Sequence, residues 1–306
     1  MLSAQGSQPL SPGAVSRGAA RVPLKFIIPA YNEEGRIGAT LSALASSFPE
    51  AGVIVVFDGD DGTPDVVRRF EGVELHRYLK RLGKGGALRE GLALLRGGEV
   101  GVLLDADLPV SADQIREAIK AFDGHDLLIA RRVYAVKPKG RYLPHLAFNA
   151  LSKLFFPALV PFDDWQGGFK VFRAEAAKEV LGELVLNDFI IDTNLLYAFL
   201  RRGKRVLEYP VTWRHEDEGS KVSGKVMKVA LMDFLSLVKL RVYYSPLRPI
   251  LSTRSFSRAQ ALAIRVLRRG FLPGARVGLP RGSAPWPQLG RPERRGNEKE
   301  IENKKG

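Results

Sequence analysis

Two carboxylates one residue apart, Asp105 and Asp107, follow directly on the apolar run Val102–Leu104. A short apolar run ending in a loop suits a strand of a parallel sheet covered on both faces. Ligands of such sheets bind beyond the carboxyl ends of the strands. An Asp-x-Asp placed there can hold Mg2+ or Mn2+, since both cations prefer oxygen ligands and bridge to phosphates. Two solvated loop acids are the plain alternative. Upstream, Lys80-Arg81-Leu82-Gly83-Lys84-Gly85-Gly86 is a glycine-rich loop with basic residues that opens a helix. Backbone N–H groups and Lys84 can meet a phosphate at such a place. The loop lacks the Gly-Lys-Ser/Thr ending of a Walker A sequence, and an ordinary flexible turn also accounts for it. Downstream, Asp163-Asp164-Trp165-Gln166-Gly167-Gly168-Phe169-Lys170 sets paired glycines among aromatic, acidic and amide residues, an unusual composition for a plain connection. The four histidines, His76, His125, His145 and His215, show no ligand spacing. Cysteine is absent, which excludes disulfides and thiolate metal sites and accords with an intracellular location.

These residues need elements to position them. Leu24–Ile28 reads as a strand stopped by Pro29, and Ile37, Leu41 and Leu44 repeat at helical spacing. Val53–Phe57 is a second strand running into Asp58-Gly59-Asp60-Asp61-Gly62. Thr63 and Pro64 then suit the start of a helix through Val66, Val67 and Phe70. Val73–Tyr78 is a third strand. Three strand–loop–helix units thus precede Asp105, which argues an α/β fold with a largely parallel sheet. Ser111 caps the next helix, with Gln114 three residues on. Leu127–Ala130 is another strand, followed by Arg131-Arg132. Leu143, Leu146, Ala147, Ala150, Leu151, Leu154 and Phe155 form a helical apolar stripe flanked by Lys137, Lys139, Arg141 and Lys153. Such a helix either faces the core or docks at a membrane surface. Ala174–Leu181 and Asn194–Arg201 read as helices, the second closed by Gly203, and Val206–Trp213 as a strand. From Lys221 to Val242 a helix would set Lys221, Lys225, Lys228 and Lys239 on one stripe of an otherwise apolar surface. That pattern, with Tyr243 and Tyr244 beyond it, suits a membrane interface; packing on the main domain is the alternative.

The chain has 306 residues, 45% of them hydrophobic, enough for a sizeable core. Its net charge of +14 is uneven. Residues 251–306 carry thirteen Lys/Arg against four Asp/Glu, a net of +9, which leaves +5 for the other 250 residues. A basic balance favours anionic partners, but the mildly basic body does not indicate nucleic acid. No apolar run approaches the roughly 20 residues of a membrane span. The expected organisation is a disordered leader over 1–22, a catalytic domain over 23–222, an amphipathic helix over 223–250, and a basic, largely disordered tail over 251–306.

Taken in order, Ile28-Pro29-Ala30-Tyr31-Asn32-Glu33-Glu34, Phe57-Asp58-Gly59-Asp60-Asp61-Gly62-Thr63, Lys84-Gly85-Gly86-Ala87-Leu88-Arg89, Asp105-Ala106-Asp107 and Gln166-Gly167-Gly168-Phe169-Lys170 resemble a family-2 glycosyltransferase of the GT-A fold. Tyr209-Pro210-Val211 with Trp213, then Ser220-Lys221, extend the match. The resemblance covers roughly residues 23–245, and among family members it is strongest to the dolichyl-phosphate glucose and mannose synthases. It implies a Rossmann-like, mostly parallel sheet flanked by helices. It also implies that Pro29, Ala30, Tyr31 and Glu33 line the base and ribose site, that Asp58 contacts base or ribose, and that Lys84 lies near the phosphates. Asp105 and Asp107 would coordinate Mg2+ or Mn2+ on the diphosphate. Arg131 would lie near the acceptor phosphate, Gln166 and the Gly-Gly-Phe-Lys loop would border sugar and acceptor, and Ser220 and Lys221 would close over the phosphates.

Two departures bear on specificity. Mannosyl members resemble Asp-Ala-Asp-Leu-Gln, and Pro109 replaces that Gln here. The family's spanning segments have no counterpart among the apolar runs of this sequence, and an interfacial helix and basic tail are expected in their place. The expectation is inverting transfer of a hexose, glucose favoured, from a nucleotide sugar to a polyprenyl (dolichyl) monophosphate. Arg131, Lys170 and Lys221 are the candidates to hold the acceptor phosphate. UDP-glucose is the favoured donor, with GDP-mannose and a mannosyl product as the alternative. A transferase to a soluble acceptor, a nucleotidyltransferase and a non-enzymatic polyanion binder remain open. The enzyme is expected at the cytoplasmic face of a membrane, peripherally attached, with no nucleic-acid partner.

Overall fold

The structure, a computed structural model, describes residues 22–134, 142–213, 226–256, 258 and 300–301. Its elements run β1 (Leu24–Ala30), α1 (Ile37–Ser47), β2 (Gly52–Phe57), α2 (Thr63–Val67), β3 (Val73–Arg77), α3 (Gly83–Leu94), β4 (Val100–Leu103) and α4 (Ala112–Ala121). They continue with β5 (Leu127–Val133), α5 (Tyr142–Phe155), β6 (Lys170–Arg173), α6 (Ala174–Val180), α7 (Ile191–Arg201), β7 (Val206–Thr212), α8 (Val226–Tyr243) and the two-residue β8 (Glu300–Ile301).

One sheet, in the order β7-β5-β6-β4-β1-β2-β3-β8, organises the chain. β1 pairs parallel with β2 and β4, β2 with β3, and β5 with β7. β6 runs antiparallel between β4 and β5, and β8 lies antiparallel on β3. The expected largely parallel sheet is therefore observed, with β6 as an unforeseen reversed strand in its middle. Its consequence is functional: the amino end of β6 lies at the same edge as the carboxyl ends of β4 and β5. Lys170 registers against both Leu103 and Ile129.

Both faces of the sheet are covered, so the strands read as apolar runs rather than alternating ones. Phe26, Ile28, Val102, Leu104, Leu128 and Val171 pack on one face with Ile37 and Leu41 of α1 and Ile115 of α4. Ile27, Leu103, Leu127, Ile129 and Phe172 pack on the other with Leu88 and Leu92 of α3, Leu195 and Phe199 of α7 and Leu237 and Leu240 of α8. The Ser111 cap is present, its hydroxyl accepting from the Gln114 N–H at 3.3 Å.

α8 departs from the expected lysine stripe. Lys239 is only 6% exposed and faces the protein, and Ser236 is buried beside it. Tyr243 is buried and Tyr244 packs edge-on against Tyr197 of α7, so both rings are packed into the protein rather than displayed on the outer face of the helix. The apolar residues take the outside instead: Leu231, Phe234 and Leu235 are exposed. The cause is the polar side chain of Asp188, which accepts from Ser236 Oγ at 2.5 Å and draws the polar face of α8 inward. Lys221 and Lys225 lie outside the described residues. Among these residues no helix is long and apolar enough to cross a membrane.

Candidate active site

The candidate residues gather at the sheet edge where β1, β2, β4 and β5 end and β6 begins. Pro29 and Ala30 close β1, with Tyr31 and Glu33 just beyond; Asp58 follows β2 directly, and Asp105 follows β4 by two residues. The Asp105–Leu108 segment is a tight turn. The Leu108 N–H donates to the Asp105 carbonyl at 3.2 Å, and Leu108 adopts a φ of 43°. A branched residue in that region is strained and persists only where its surroundings hold it. Here the buried Thr40 hydroxyl fixes the turn by donating to the Ala106 carbonyl at 2.6 Å.

Glu33 feels the charges of both carboxylates of this turn. Burial raises the Glu33 carboxyl above its ordinary value, and the charges of Asp107 and Asp105 add to the rise, while Arg36 opposes it. Mutual repulsion of this kind is what a divalent cation relieves. Among the described residues no cluster of three acid or histidine ligands forms a ready protein cage, and Pro109 offers no ligand side chain. A pair of carboxylates on a rigid turn fits a cation that completes its shell with water and substrate phosphates.

The paired glycines are explained by close approach. A methyl group on Gly168 would overlap the Asp105 carboxylate, and one on Gly167 would press on the Ala130 carbonyl at 2.9 Å. The Gln166–Phe169 segment thus lies directly over the end of β4, with Gln166 half-buried. Its course is pinned at Asp164, which accepts from Arg132 Nε at 2.7 Å and Nη2 at 2.9 Å. Glu208 of β7 accepts from the Asp163 and Asp164 N–H groups at 2.7 and 2.8 Å. Trp165, fully buried, donates from Nε1 to Thr193 Oγ1 at 2.9 Å.

Behind this loop two ammonium groups share one carboxylate. Asp192, in the first turn of α7, accepts from Lys170 Nζ at 2.7 Å and pairs with Lys84 Nζ at 3.0 Å. Lys170 is fully buried and also donates to the Gly167 carbonyl at 2.6 Å. Burial lowers the Lys170 ammonium despite Asp192. Burial also weighs on Lys84, but Asp192 and Asp105 outweigh it and leave that group raised. Burial disfavours the Asp192 carboxylate, yet the two lysines prevail and hold it below the ordinary range. Lys170, expected to hold an acceptor phosphate, is instead sealed: its ammonium ties the Gly167–Gly168 loop to α7. Lys84, at 19% side-chain exposure, keeps a face toward the edge.

The glycine-rich loop also differs from the expected phosphate cradle. Asp58 accepts from the N–H groups of Leu82 and Gly83 at 2.7 and 2.9 Å and pairs with Arg81. The Gly85 N–H donates to the Asn187 carbonyl at 3.2 Å. Methyl groups on Gly83 and Gly85 would overlap the carbonyls of Asn187 and Leu186. Arg89 holds the same segment by donating to the carbonyls of Leu184 and Leu186 at 3.0 and 2.8 Å. The glycines are thus a seat for residues 184–187, and this seat delivers Asp192 to the lysines. Asp58 is buried and organises the loop from below, while Arg81 lies flat over the Tyr31 ring, 3.3 Å from its centroid.

Arg131 stands apart from this cluster, 39% exposed and 3.9 Å from Glu208. Its neighbour Arg132 is the one that reaches Asp164 and the field of Lys84. Consecutive strand residues face opposite ways, so the choice between the two arginines turned on one residue of register. Ser220 and Lys221 lie outside the described residues. Sequence reasoning missed Asp192, Arg81 and Arg132. An Asp in a helix's first turn is ordinary, and only the fold brings Asp192 to Lys84 and Lys170.

Residues 25–181, just over half of the chain, match Glycosyl transferase family 2. The chain belongs to this family and is a glycosyltransferase. It is 33% identical over 212 residues to the glycosyltransferase AglD of Haloferax volcanii, covering 64% of this chain but only 34% of that longer protein. It is 24% identical over 249 residues to the dolichyl-phosphate beta-glucosyltransferase of Saccharomyces cerevisiae, over 71% of this chain and 74% of that one. The fold is shared with glucosyl-3-phosphoglycerate synthase from Mycobacterium tuberculosis, whose structure in complex with Mn2+, UDP and glucosyl-3-phosphoglycerate aligns with a TM-score of 0.56 at 18% identity. That alignment covers 71% of this chain and 80% of the other, and it confirms the GT-A type architecture.

Proposed function

We propose that this enzyme transfers glucose from UDP-glucose to a polyprenyl monophosphate, with inversion at the anomeric carbon. The observation that carries the reading is the juxtaposition at one sheet edge of a rigid carboxylate pair, Asp105 and Asp107, with Lys84, whose charge acts on Asp105 and whose side chain is partly exposed. Two anionic substrates must meet there, and charge must build on a departing diphosphate. The several relatives named dolichyl-phosphate beta-glucosyltransferase support the acceptor and the sugar. Pro109, in place of the Gln that mannosyl members carry, favours UDP-glucose over GDP-mannose.

An oxygen of the acceptor phosphate forms the new bond to the anomeric carbon. The bond from that carbon to the donor diphosphate breaks, and the electron pair leaves with the nucleoside diphosphate. The attacking oxygen is already anionic at neutral pH, so no general base is required. Mg2+ or Mn2+ held by Asp105 and Asp107 would supply neutralisation of the leaving group. Lys84, within the field of Asp105, adds positive charge, and Tyr31 with Arg81 offers a flat surface for the base. Arg132 and Asp164 hold the Gln166–Gly168 loop so that it shapes the space for sugar and acceptor. Catalysis is then positioning and charge stabilisation.

A polyprenyl chain stays in the bilayer, so the enzyme must reach the surface. Leu231, Phe234 and Leu235 of α8 and Leu146 and Leu154 of α5 are exposed, and the two helices pack together through Phe155 and Phe234, with ring centroids 6.1 Å apart. Phe189, 68% exposed, lies beside Lys84 with its ring 5.9 Å from the ammonium. These exposed apolar groups support peripheral attachment, on the cytoplasmic face where nucleotide sugars are supplied. The test is transfer of radiolabelled sugar from UDP-glucose and from GDP-mannose to polyprenyl phosphate in vesicles. Lipid-extractable glucose product, lost in EDTA and in Asp105→Asn, is expected. Product from GDP-mannose alone reverses the donor, and product only with a water-soluble acceptor overturns the lipid reading.

A further inference from the structure

A polar cavity lies away from the sheet edge, at the far end of α7. Nine residues after Asp192, roughly 14 Å along the helix, Arg201 and Arg202 meet the end of α8 and the turn beyond it. The cavity, about 550 Å³, is lined by Glu183, Arg201, Arg202, Tyr243, Tyr244 and Arg248 among others. Three guanidinium groups surround it against one carboxylate. Glu183 is shared by Arg202, at 2.6 Å, and Arg201, at 3.4 Å. Arg248 stacks on the Tyr243 ring at 4.4 Å, and Arg201 stands over Tyr244 at 5.2 Å. A guanidinium held by its face on an aromatic ring keeps its N–H edges for a planar, bidentate acceptor. The Tyr243 hydroxyl donates to the Gly182 carbonyl at 3.2 Å, which fixes the ring that carries Arg248. The surplus of two positive charges matches a phosphate group.

The rim indicates where that phosphate comes from. Leu247 and Ile250, on either side of Arg248, are 56% and 47% exposed. The exposed apolar residues of α8 precede them on the same helix-and-turn unit. Cationic groups set among exposed apolar side chains fit an amphiphile with an anionic head.

We propose that the Arg201–Arg202–Arg248 cavity binds the phosphate headgroup of an anionic lipid, as a site separate from the transfer centre. It does not depend on the identity of the donor or the acceptor, and it predicts a lipid preference rather than general attraction to negative surfaces. The full chain is sedimented with phosphatidylcholine vesicles containing phosphatidic acid, or with phosphatidylcholine alone. Arg201→Gln with Arg248→Gln is compared with Arg68→Gln with Lys120→Gln, which removes the same charge from exposed positions elsewhere. The cavity pair should lower partitioning onto phosphatidic acid about tenfold or more. The control pair should change it less than threefold, and UDP binding should be unchanged in both. If the double cavity variant does not fold, Arg248→Gln alone, whose guanidinium rests on a ring face, should still show a severalfold loss. Equal losses in the two pairs, or none in the cavity pair, overturn the proposal. Saturation by inorganic phosphate below millimolar with vesicle binding untouched by the cavity variants assigns the site to a free phosphate and overturns the lipid source.

Discussion

Asp192→Asn tests the arrangement on which the candidate site rests. The carboxylate holds Lys170 at 2.7 Å and Lys84 at 3.0 Å. At an effective dielectric of about 20, each pair attracts by roughly 5–6 kcal/mol, and most of this is offset by desolvation. The amide keeps the shape but leaves two ammonium groups facing each other, one of them fully buried. Removing one partner of a buried pair costs about 3–5 kcal/mol. Lys170, already lowered by burial, can escape part of that cost by losing its proton, so the loss should shrink as pH rises. Adding Lys170→Met removes the stranded charge, and replacing a buried ion pair by apolar bulk is often neutral in stability. The double variant should therefore recover most of the denaturant midpoint lost in Asp192→Asn. It should not recover sugar transfer, because Gly167 and Lys84 have both lost their tether. Chemical denaturation and a transfer assay on the same preparations separate the two readouts. A single variant within about 1 kcal/mol of the parent, or a double variant with full activity, refutes the assigned role.

Three further outcomes rest on neighbouring contacts and charges. Gly168→Ala places a methyl group against the Asp105 carboxylate; transfer and Mn2+ binding with UDP should drop at least tenfold while thermal stability changes little, and unimpaired Mn2+ binding by calorimetry would count against the contact. Leu231→Ser with Leu235→Ser should weaken partitioning onto neutral and anionic vesicles alike, since salt-insensitive apolar burial is lost; unchanged sedimentation removes α8 from the interface. Burial, with the charge of Asp188, pushes Asp233 up to about 7, whereas burial and Arg89 pull Lys239 down to about 7 against Asp188. Asp233 should therefore make stability fall as pH rises from about 4 to 7, where the folded state holds the extra proton, and Lys239 should make it rise from about 7 to 10.5, where the unfolded state does. In melting scans Asp233→Asn should flatten the first limb and Lys239→Met should reduce the second, to which Lys170 also contributes; a second limb undiminished in Lys239→Met contradicts its burial as a source of pH dependence.

Local pattern revealed the strands and the acids because both are properties of short stretches. β1, β2 and β4 are apolar runs with polar residues at their ends, and the sheet's closed faces require that pattern. The Asp105–Asp107 turn could be placed for the same reason. β6 could not, since Lys170–Arg173 carries charge at both ends and only four residues; its strand character comes from lying between β4 and β5. α8 misled in an instructive way. A helix with lysines and apolar residues satisfies an interfacial pattern either side out, and the Asp188 carboxylate, nearly fifty residues earlier, decides that the polar side turns inward. The glycine-rich loop is similar. Its composition suits a phosphate or a close-packed segment equally, and Arg89 with the 184–187 backbone settles which.

The Asp192 pairs show how these two lysines would serve the proposed transfer site. A surface lysine would meet a substrate phosphate with its own hydration intact and its side chain free to move. Here Lys84 is held by a carboxylate from another element, so its position is set before any substrate arrives. Asp192 draws its two lysines from α3 and from the start of β6, and Lys170 passes the constraint to Gly167, whose neighbour Gly168 rests on Asp105. The cationic and anionic halves of the site are therefore one connected object. A change in the spacing of α7 against α3 must reach Asp105 through two hydrogen bonds and one close contact, which makes residues 184–192 the segment whose alteration would impair cation and phosphate binding together.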